Sequence, residues 1–311
     1  MRALITGVNG FVGKHLTQYL LSKNYEIVGL CYSEEFKAKS LLTFECDIRD
    51  NDKLTKIIGE NPVDEIYHLA GPAFIPHTVT NPRLAYEVIF EGTFNLYEAV
   101  RQSGFSPKLL FVGSGDEYGA FENSELPLKE STLLRPITPY GVAKAAADLL
   151  SYQYNKLFGM KIVRARPFNH TGPGQSEAFV CSSFARQIVM IEKGIIKPVI
   201  NVGNLEPARD FCDVRDVVEA YWLLLQKAQP GSVYNICSGK PNSIRWILEA
   251  LMEQELSHRI EITVDPQKVR FSEFSTIYGH NGLIIEDIGW TPKYNLKTTL
   301  VELLNYWRMR V

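Results

Sequence analysis

Three glycines stand where the first apolar segment of the chain gives way to an amphipathic one. The stretch ITGVNGFVG places Gly7, Gly10 and Gly13 three residues apart, after a predicted strand at residues 3–6 and at the start of a helical pattern over residues 11–21. Glycines at such a turn let the backbone approach a diphosphate, and the N–H groups of the helix start attract that anion. A second strand over residues 26–30 completes a βαβ unit. The chain is therefore predicted to begin with a dinucleotide-binding fold.

The alternation of strand and helix patterns continues along the first half of the chain, which implies a parallel sheet covered on both faces. The predicted strands are residues 65–69, 109–112 and 162–166, with a turn at 45–49, a helix at 84–102 and a long helix after Pro139. Beyond residue 166 the rhythm is less regular. There we predict strands at 198–202, 232–237 and 260–264, and helices at 179–193, 214–227, 243–255 and 296–308.

These patterns predict an α/β fold: a Rossmann-type doubly wound parallel sheet with a smaller α/β substrate-binding lobe. We expect residues 1–165 to form the dinucleotide-binding domain that carries the catalytic residues. Residues 166–311 are expected to form mainly the lobe, with some segments returning to the first domain.

Charge and cysteine usage argue against several classes of protein. The 33 Lys and Arg nearly balance 35 Asp and Glu, for a net charge of −2, which gives no reason to expect nucleic acid or a membrane surface as partner. The five cysteines are scattered without a C-x-x-C pair, which argues against a disulfide framework or zinc knuckle. No signal-peptide pattern or membrane-spanning apolar run is present. We expect a soluble, cytoplasmic protein without a bound metal.

The end of the second strand bears on which cofactor is bound. An acid there would bind the adenine ribose and repel a 2′-phosphate, but the sequence reads Leu30-Cys31-Tyr32-Ser33, with no carboxylate before Glu34. No arginine follows this strand that could bind the 2′-phosphate and so select NADPH. We expect a nicotinamide dinucleotide, NADPH or NADH, with NADPH favoured.

Two tyrosine–lysine pairs share the long helix predicted after Pro139. Tyr140 and Lys144 are spaced i, i+4 and so lie on one face of the helix, and Tyr152 and Lys156 repeat the spacing. The second pair is about 18 Å further along the axis and about 120° round it. It cannot reach the same site, so we expect it to have a packing and surface role.

The first pair follows a serine in the stretch VGSGDEYG, at the end of a predicted strand. A tyrosine hydroxyl has a pKa near 10, and a neighbouring ammonium group, here that of Lys144, is expected to lower it. Tyr140 would then donate a proton, while Ser114 hydrogen-bonds a carbonyl oxygen that becomes an oxyanion when hydride arrives.

Taken together, these residues resemble the extended short-chain dehydrogenase/reductase family, and within it the enzymes that act on nucleotide sugars. The motifs that carry the resemblance are TGVNGFVG, CDIRD, HLAG, Ser114 with Tyr140 and Lys144, RPFNHTGPGQ, RDF and GW-x-P. The run RPFNHTGPGQ is most similar to the members that reduce a 4-keto-6-deoxymannose linked to GDP. The resemblance implies that Ser114, Tyr140 and Lys144 are the catalytic set and that Lys144 also holds the nicotinamide ribose.

The resemblance further implies a set of contacts to the cofactor and to the GDP-sugar. The cofactor-binding residues are expected to be Gly7, Asn9, Gly10, Phe11, Val12, Gly13, Ser33, Asp47, Ile48, Leu69, Ala70, Gly71, Tyr140 and Lys144. The substrate-binding residues are expected to be Asp116, Asn169, Val180, Arg186, Arg209, Arg270 and Glu273. Another base than guanine remains an alternative. His170 is expected to be structural.

Two alternatives to a reductase stay open. Family members that eliminate water from the sugar often carry an acid and then a glutamate after the catalytic hydroxyl, where this chain has Gly115 and Asp116. A reductase needs neither acid, but Asp116 could serve a dehydratase or C4-epimerase as a shortened base, and Glu117 is then expected to face solvent. A regulator that only senses the dinucleotide is disfavoured by the intact Ser114.

The resemblance also implies a homodimer built from paired helices. Apolar residues extend beyond one stripe on the helices predicted at 84–102 and after Pro139, which favours a two-fold four-helix interface. These residues are Tyr86, Ile89, Phe90, Phe94, Leu149, Leu150, Tyr152 and Tyr154.

Overall fold

The computed structural model describes residues 1–32, 41–254, 260–268 and 274–311. The strands are β1 (Arg2–Thr6), β2 (Glu26–Cys31), β3 (Leu41–Glu45), β4 (Glu65–His68), β5 (Lys108–Val112), β6 (Lys161–Pro167), β7 (Asn169–Thr171), β8 (Val199–Val202), β9 (Ala208–Asp213), β10 (Val233–Ile236), β11 (Pro241–Ser243), β12 (Glu261–Val264) and β13 (Thr276–Ile277). The α-helices are α1 (Phe11–Ser22), α2 (Asn51–Glu60), α3 (Ile75–Thr80), α4 (Pro82–Ala85), α5 (Gly92–Ser103), α6 (Pro139–Phe158), α7 (Val180–Glu192), α8 (Val214–Lys227), α9 (Ile244–Met252), α10 (Gly282–Ile288) and α11 (Leu296–Arg308).

The main sheet has seven strands in the order β10-β6-β5-β4-β1-β2-β3, and every neighbouring pair is parallel. The chain runs outward from β1 to β3, then returns and continues in the other direction through β4. Ligands of such sheets bind outside the carboxyl ends of the strands at this reversal. The loop after β1 therefore lies where the fold favours a ligand.

Both faces of the main sheet are buried, as the alternating strand residues show. Ala3 and Ile5 of β1 pack with α1, α8 and α10, whereas Leu4 between them packs with α2, α5 and α6. Successive side chains of a strand point to opposite faces, so each strand contributes to two cores. The prediction of a doubly wound α/β sheet is confirmed.

A smaller lobe forms around α7, α9 and α11, which enclose a separate apolar core. Its strands make one sheet in the order β11-β9-β13, with β7 also paired to β9, and a second sheet of β12 and β8. Three elements beyond residue 166 belong to the main sheet instead, because β10 extends its edge and α8 and α10 cover one face.

Several features differ from the sequence prediction, and helices α3 and α10 were not predicted. The region read as a turn at 45–49 and then left without structure holds the end of β3 and the helix α2. The signal for α2 was present, because Leu54, Ile57 and Ile58 lie on its buried face and the Asp50 side chain accepts the N–H of Lys53 at its start. The strands β7, β9, β11 and β13 were not predicted.

The helix predicted over 84–102 is helical throughout, but it is not α-helical along its whole length. It comprises α4, a π-helical segment Tyr86–Glu91 and α5. The sequence prediction treated the whole segment as one α-helix and did not identify the π-helical turn. No helix in the described part of the chain is both long and apolar enough to cross a membrane.

Candidate active site

The glycine loop forms a backbone cradle at the carboxyl end of β1. Gly7 has a φ of +72°, a conformation that favours glycine. A Cβ at Gly13 would lie 2.3 Å from the carbonyl oxygen of Gly7, so only glycine lets α1 approach the loop this closely. The cap of α1, Gly10, has no side chain to pair with the first N–H groups, and no acid lies in the first turn. These features fit the diphosphate of a dinucleotide.

The Thr6 hydroxyl ties β1 to the loop after β4. Its oxygen accepts the N–H groups of Leu69 at 3.1 Å and Ala70 at 3.0 Å, and it lies 2.8 Å from Nδ1 of His68. Since burial lowers the pKa of His68 to about 3, the imidazole is neutral. Its Nδ1 then accepts from Thr6, and its Nε2 donates to Thr93 at 2.9 Å. This network places Leu69 and Ala70 beside Gly7.

The predicted cofactor residue Asp47 is fixed by neighbouring charges. Its carboxylate accepts the backbone N–H of Arg49 at 2.9 Å and a guanidinium N–H at 2.6 Å, and Arg49 also lies 3.2 Å from Glu87. These bonds lower the pKa of Asp47. Ser33 lies outside the described residues.

Ser114, Tyr140 and Lys144 meet where β5 ends and α6 begins. The Thr138 side chain accepts the N–H of Gly141 at 3.0 Å and so caps α6 just before Tyr140. Lys144 donates from Nζ to the Val112 carbonyl at 2.6 Å and lies 6.0 Å from the centre of the Tyr140 ring. Burial raises the pKa of Tyr140, and a hydrogen bond with the Ser114 side chain opposes that shift.

The expectation that Lys144 lowers the pKa of Tyr140 is wrong for this structure. Burial, together with the charges of Asp116 and Glu117, raises the pKa of Tyr140 above its ordinary value. Burial also lowers the pKa of Lys144 to about 8. At neutral pH Tyr140 is therefore a protonated hydroxyl, which is the form that donates a proton.

The two acids after Ser114 have different surroundings. Asp116 lies in the open cleft, where its Oδ2 accepts the Ser114 hydroxyl at 3.1 Å. The crowded protein around it raises the pKa of Asp116, while the Ser114 hydrogen bond and the charge of Arg209 oppose that shift. The expectation that Glu117 faces solvent is wrong. Glu117 is fully buried, and its carboxylate lies 3.0 Å from Nε of Arg166.

The structure brings Arg209 to the same cleft as Asp116. The Arg209 guanidinium donates to the carbonyl oxygens of Ala208 at 2.7 Å, Ser275 at 3.3 Å and Phe274 at 3.3 Å. Burial lowers the pKa of Arg209, and the Asp116 charge opposes this shift. Arg209 is thus a positive group held in place at the boundary between domain and lobe.

The other predicted substrate residues are spread over the lobe. Asn169 is exposed on β7, and Val180 begins α7. Arg186, further along α7, lies 2.6 Å from Glu177 and above the ring of Trp307, so its charge is already paired at the lobe surface. The predicted Arg270 and Glu273 lie outside the described residues.

The loop RPFNHTGPGQ joins the lobe to the cofactor helix. His15 of α1 lies 2.8 Å from the Pro173 carbonyl oxygen, and the ring of Phe11 stacks on His170 with centroids 6.3 Å apart. His170 also contacts the carbonyl oxygen of Phe168 through Nδ1 at 3.0 Å. His170 is therefore a packing residue, and no group of three or more metal-ligating side chains occurs among the described residues.

Sequence reasoning missed the residues that support the site from behind. Thr6 and His68 stand in the motifs ITG and HLAG, but nothing in either motif shows that they bond to each other across 62 positions. Asp148 of α6 and Arg166 of β6 pair at 3.2 Å. The sequence signal that could have identified Asp148 and Arg166 was a charged residue within an otherwise apolar helix or strand.

Comparisons with known proteins agree with this architecture. The family model for GDP-mannose 4,6 dehydratase matches residues 4–303. GDP-6-deoxy-D-mannose reductase from Pseudomonas aeruginosa is 36% identical and aligns over 100% of this chain and 98% of its own. The structure of RMD from Pseudomonas aeruginosa with NADPH has a TM-score of 0.89 at 35% identity, covering 100% of this chain and 99% of that one. The NAD complex of Thermus thermophilus UDP-glucose 4-epimerase has a TM-score of 0.88 at 29% identity, with 100% of both chains covered.

The glycine cradle generates a test of cofactor binding. In Gly13→Ala the new methyl group would lie 2.3 Å from the Gly7 carbonyl oxygen, so the loop must move away from α1. We expect NADPH affinity, measured by fluorescence titration, to fall by about tenfold or more, since a packing clash typically costs about 1–3 kcal/mol.

The matched control is Gly59→Ala in α2, where a Cβ meets no atom within 4 Å. This variant should bind NADPH like the parent, because alanine suits a helix better than glycine. Parent-like binding by the Gly13 variant would contradict the assignment of the cradle.

Proposed function

The chain belongs to the GDP-mannose 4,6-dehydratase family, and we propose that it reduces the C4 ketone of GDP-4-keto-6-deoxy-D-mannose to give GDP-D-rhamnose. The reductant is NADPH or NADH, with NADPH favoured because the described end of β2 presents no acid to repel a 2′-phosphate. The similarity to the Pseudomonas aeruginosa reductase over the whole chain supports this proposal.

Each residue of the cleft has a separate role in the proposed reaction. The glycine loop and the backbone of Leu69 and Ala70 would hold the cofactor, which supplies a hydride to C4 when bound. Tyr140, protonated at neutral pH, donates its proton to the ketone oxygen. The Ser114 hydroxyl turns from Asp116 to hydrogen-bond the same oxygen as negative charge develops on it. Lys144 orients the nicotinamide ribose.

The GDP moiety requires positive charge and fixed hydrogen-bond donors. We assign the diphosphate to Arg209, whose guanidinium is already oriented by backbone carbonyls and can form the paired hydrogen bonds that suit such an anion. Asn169, Val180 and Arg186 are proposed to contact the diphosphate, sugar or base, and Arg270 and Glu273 to complete the set. Residues 1–165 then hold the cofactor and catalytic groups, and residues 166–311 mainly hold the nucleotide sugar.

One observation favours reduction over dehydration. Gly115 carries no acid, and a Cβ at this position would lie 3.3 Å from the ring of Phe168. A side chain there would press on that ring, so the packing of Phe168 favours glycine over the first acid that water-eliminating family members often carry. Asp116, one methylene shorter than glutamate, is tied to Ser114. The alternative is a GDP-mannose 4,6-dehydratase or a nucleotide-sugar C4-epimerase.

A substrate test separates the reductase from its alternatives. Given GDP-4-keto-6-deoxy-D-mannose, the protein should oxidise one equivalent of NADPH per ketone reduced. The reaction is monitored by the loss of absorbance at about 340 nm, in the nicotinamide band of the reduced cofactor. With GDP-mannose and added oxidised cofactor, dehydration should be absent or orders of magnitude slower. Asp116→Ala should retain most of the reduction, because neither proton nor hydride passes through this carboxylate.

Efficient dehydration of GDP-mannose that disappears in Asp116→Ala would overturn the reductase proposal and support the dehydratase. Turnover of a nucleotide sugar by purified protein that carries its own cofactor, with none added, would instead support a dehydratase or C4-epimerase, since both return the hydride to the cofactor they retain.

The proton donor has a matched control on the same helix. Tyr140→Phe removes only the hydroxyl, so kcat should fall by about 10²–10⁴-fold while NADPH affinity, measured by fluorescence, stays near that of the parent. Tyr152→Phe removes the same atom from a tyrosine that is 44% exposed, and we expect its kcat to match the parent. A larger loss in Tyr152→Phe than in Tyr140→Phe would show that the wrong tyrosine was chosen.

A homodimer is the proposed assembly, supported by an apolar surface on neighbouring helices. Tyr86, Phe94, Leu149 and Tyr152 are between 40% and 60% exposed, and Phe90 and Leu150 are half-buried. The predicted interface residues Ile89 and Tyr154 are buried within the chain instead, because both pack in the core beneath α6. The exposed apolar residues are therefore available to contact a second copy of the chain.

The dimer is tested by light scattering at micromolar concentration, where we expect twice the chain mass of 35.2 kDa. Leu149→Lys places a charge on a residue that is 60% exposed, so it should shift the protein toward monomer without unfolding it. A monomeric parent would contradict the proposal.

We also propose a cytoplasmic location. All five cysteines are buried free thiols in the structure, which suits a reducing compartment. No contact with nucleic acid or membrane is proposed.

A further inference from the structure

A buried aspartate follows Arg209 on β9, and the proposed reaction does not use it. Asp210 is fully inaccessible to solvent. Its Oδ1 accepts the backbone N–H of Ser238 at 2.7 Å and the hydroxyl of the same serine at 2.6 Å. Its Oδ2 accepts the N–H of Gly239 at 2.9 Å and lies 3.5 Å from the amide nitrogen of Gly279. Both oxygens of the carboxylate therefore hold segments that are distant along the chain.

The segments that Asp210 holds belong to different parts of the molecule. Ser238 and Gly239 lie in the turn after β10, which is the edge strand of the main sheet. Gly279 follows β13, which pairs with β9 in the lobe. The carboxylate thus connects the main sheet to the lobe one residue away from Arg209. Neighbouring side chains of a strand point to opposite faces, so Asp210 points into the interior while Arg209 points to the cleft.

The position of the Arg209 guanidinium depends on the same segments. This group donates to the carbonyl oxygens of Ser275 and Phe274 at 3.3 Å each, and both residues immediately precede β13. Strand β13 in turn pairs with β9, and Asp210 holds the chain beyond its other end, at Gly279. A shift of β13 against β9 would therefore displace the carbonyl groups that orient the guanidinium.

We propose that Asp210 is a positioning residue. Its carboxylate holds β9, β13 and the turn after β10 in the arrangement that presents the Arg209 guanidinium to the diphosphate of the nucleotide sugar. This inference rests on the proposed function, because the diphosphate is assigned to Arg209 there. Since Asp210 is fully buried, it acts through its neighbour rather than on the substrate.

The number of donors around Asp210 explains why a carboxylate is required. Burial raises the pKa of Asp210, and the hydrogen bonds from Ser238, Gly239 and Gly279 oppose that shift. An asparagine has nearly the same size but only one oxygen that accepts hydrogen bonds. Whichever way its amide is turned, its NH2 group faces either the two donors of Ser238 or the N–H of Gly239. A buried donor without an acceptor is costly, so the turn after β10 must move in Asp210→Asn.

Asp216 provides a matched comparison. This acid is also fully buried, and its carboxylate also accepts two backbone N–H groups of a distant segment, those of Lys293 and Tyr294 at 3.0 Å each. It lies on α8, and its partners precede α11. Asp216→Asn therefore removes the same kind of hydrogen bond, but from a segment other than β13 and the turn after β10.

The experiment measures the binding of GDP by calorimetry and of NADPH by fluorescence in the parent and in both variants. In Asp210→Asn we expect GDP affinity to fall by about tenfold or more, while NADPH affinity stays within about twofold of the parent, because only the orientation of Arg209 is lost. KM for the ketone should rise more than kcat falls. Asp216→Asn should bind GDP and NADPH like the parent, even if it is less stable.

Combining the substitution with Arg209→Gln tests whether Asp210 acts through the arginine. If it does, adding Asp210→Asn to the Arg209→Gln variant should change GDP affinity by less than about twofold, since two changes to one interaction are not additive. Additive losses in the double variant would show a general structural role and overturn the inference. Parent-like GDP affinity in Asp210→Asn, or an equal loss in Asp216→Asn, would overturn it as well.

Two further measurements separate this inference from protein unfolding and from the proposed function. If Asp210→Asn does not fold, Ser238→Ala takes its place, because it removes only the hydroxyl donor. GDP affinity should then fall by about threefold, and an unchanged affinity would contradict the inference. UDP serves as a second nucleotide probe, and the variants are compared on whichever nucleotide the parent binds.

A parent that binds neither GDP nor UDP would contradict the inference. A parent that binds one of them but does not reduce the ketone contradicts only the proposed function, because the binding comparison needs no ketone.

Discussion

The Thr6 hydroxyl connects two loops at the point where the strand order of the main sheet reverses. The candidate site is built around this point. The hydroxyl accepts two backbone N–H groups from the loop after β4 and donates to His68. Strands β1 and β4 are paired up to Thr6 and His68, and this hydroxyl extends their connection into the loop beyond β4. The glycine cradle lies against Ala70 for the same reason.

The sequence alone predicted the structure correctly where the structure depends on residues close together along the chain. The glycine turn, the start of α6 at Thr138 and the exact span of α8 all follow from local patterns. The short strands of the lobe were missed because each owes its conformation to pairing with a distant segment, as β13 does with β9. The pKa of Tyr140 was misjudged because burial depends on the whole fold, and the spacing of Tyr140 and Lys144 says nothing of it.

Helix α6 serves several parts of the molecule with different faces. Its first turns carry Tyr140 and Lys144 into the cleft, and its next turn sends Asp148 to the buried arginines of β6. A further face exposes Leu149 and Tyr152. One helix therefore carries the Tyr140–Lys144 pair, an acid paired with buried arginines and an exposed apolar face.

The ring of Phe168 beside Gly115 constrains how this chain can evolve. An acid at position 115 would meet that ring, and Phe168 in turn packs against Tyr118 with centroids 6.2 Å apart. A larger side chain at this position would therefore disturb a packed aromatic pair. Position 115 thus accepts a residue with a Cβ only if the ring of Phe168 shifts with it, because the interior around that ring is closely packed.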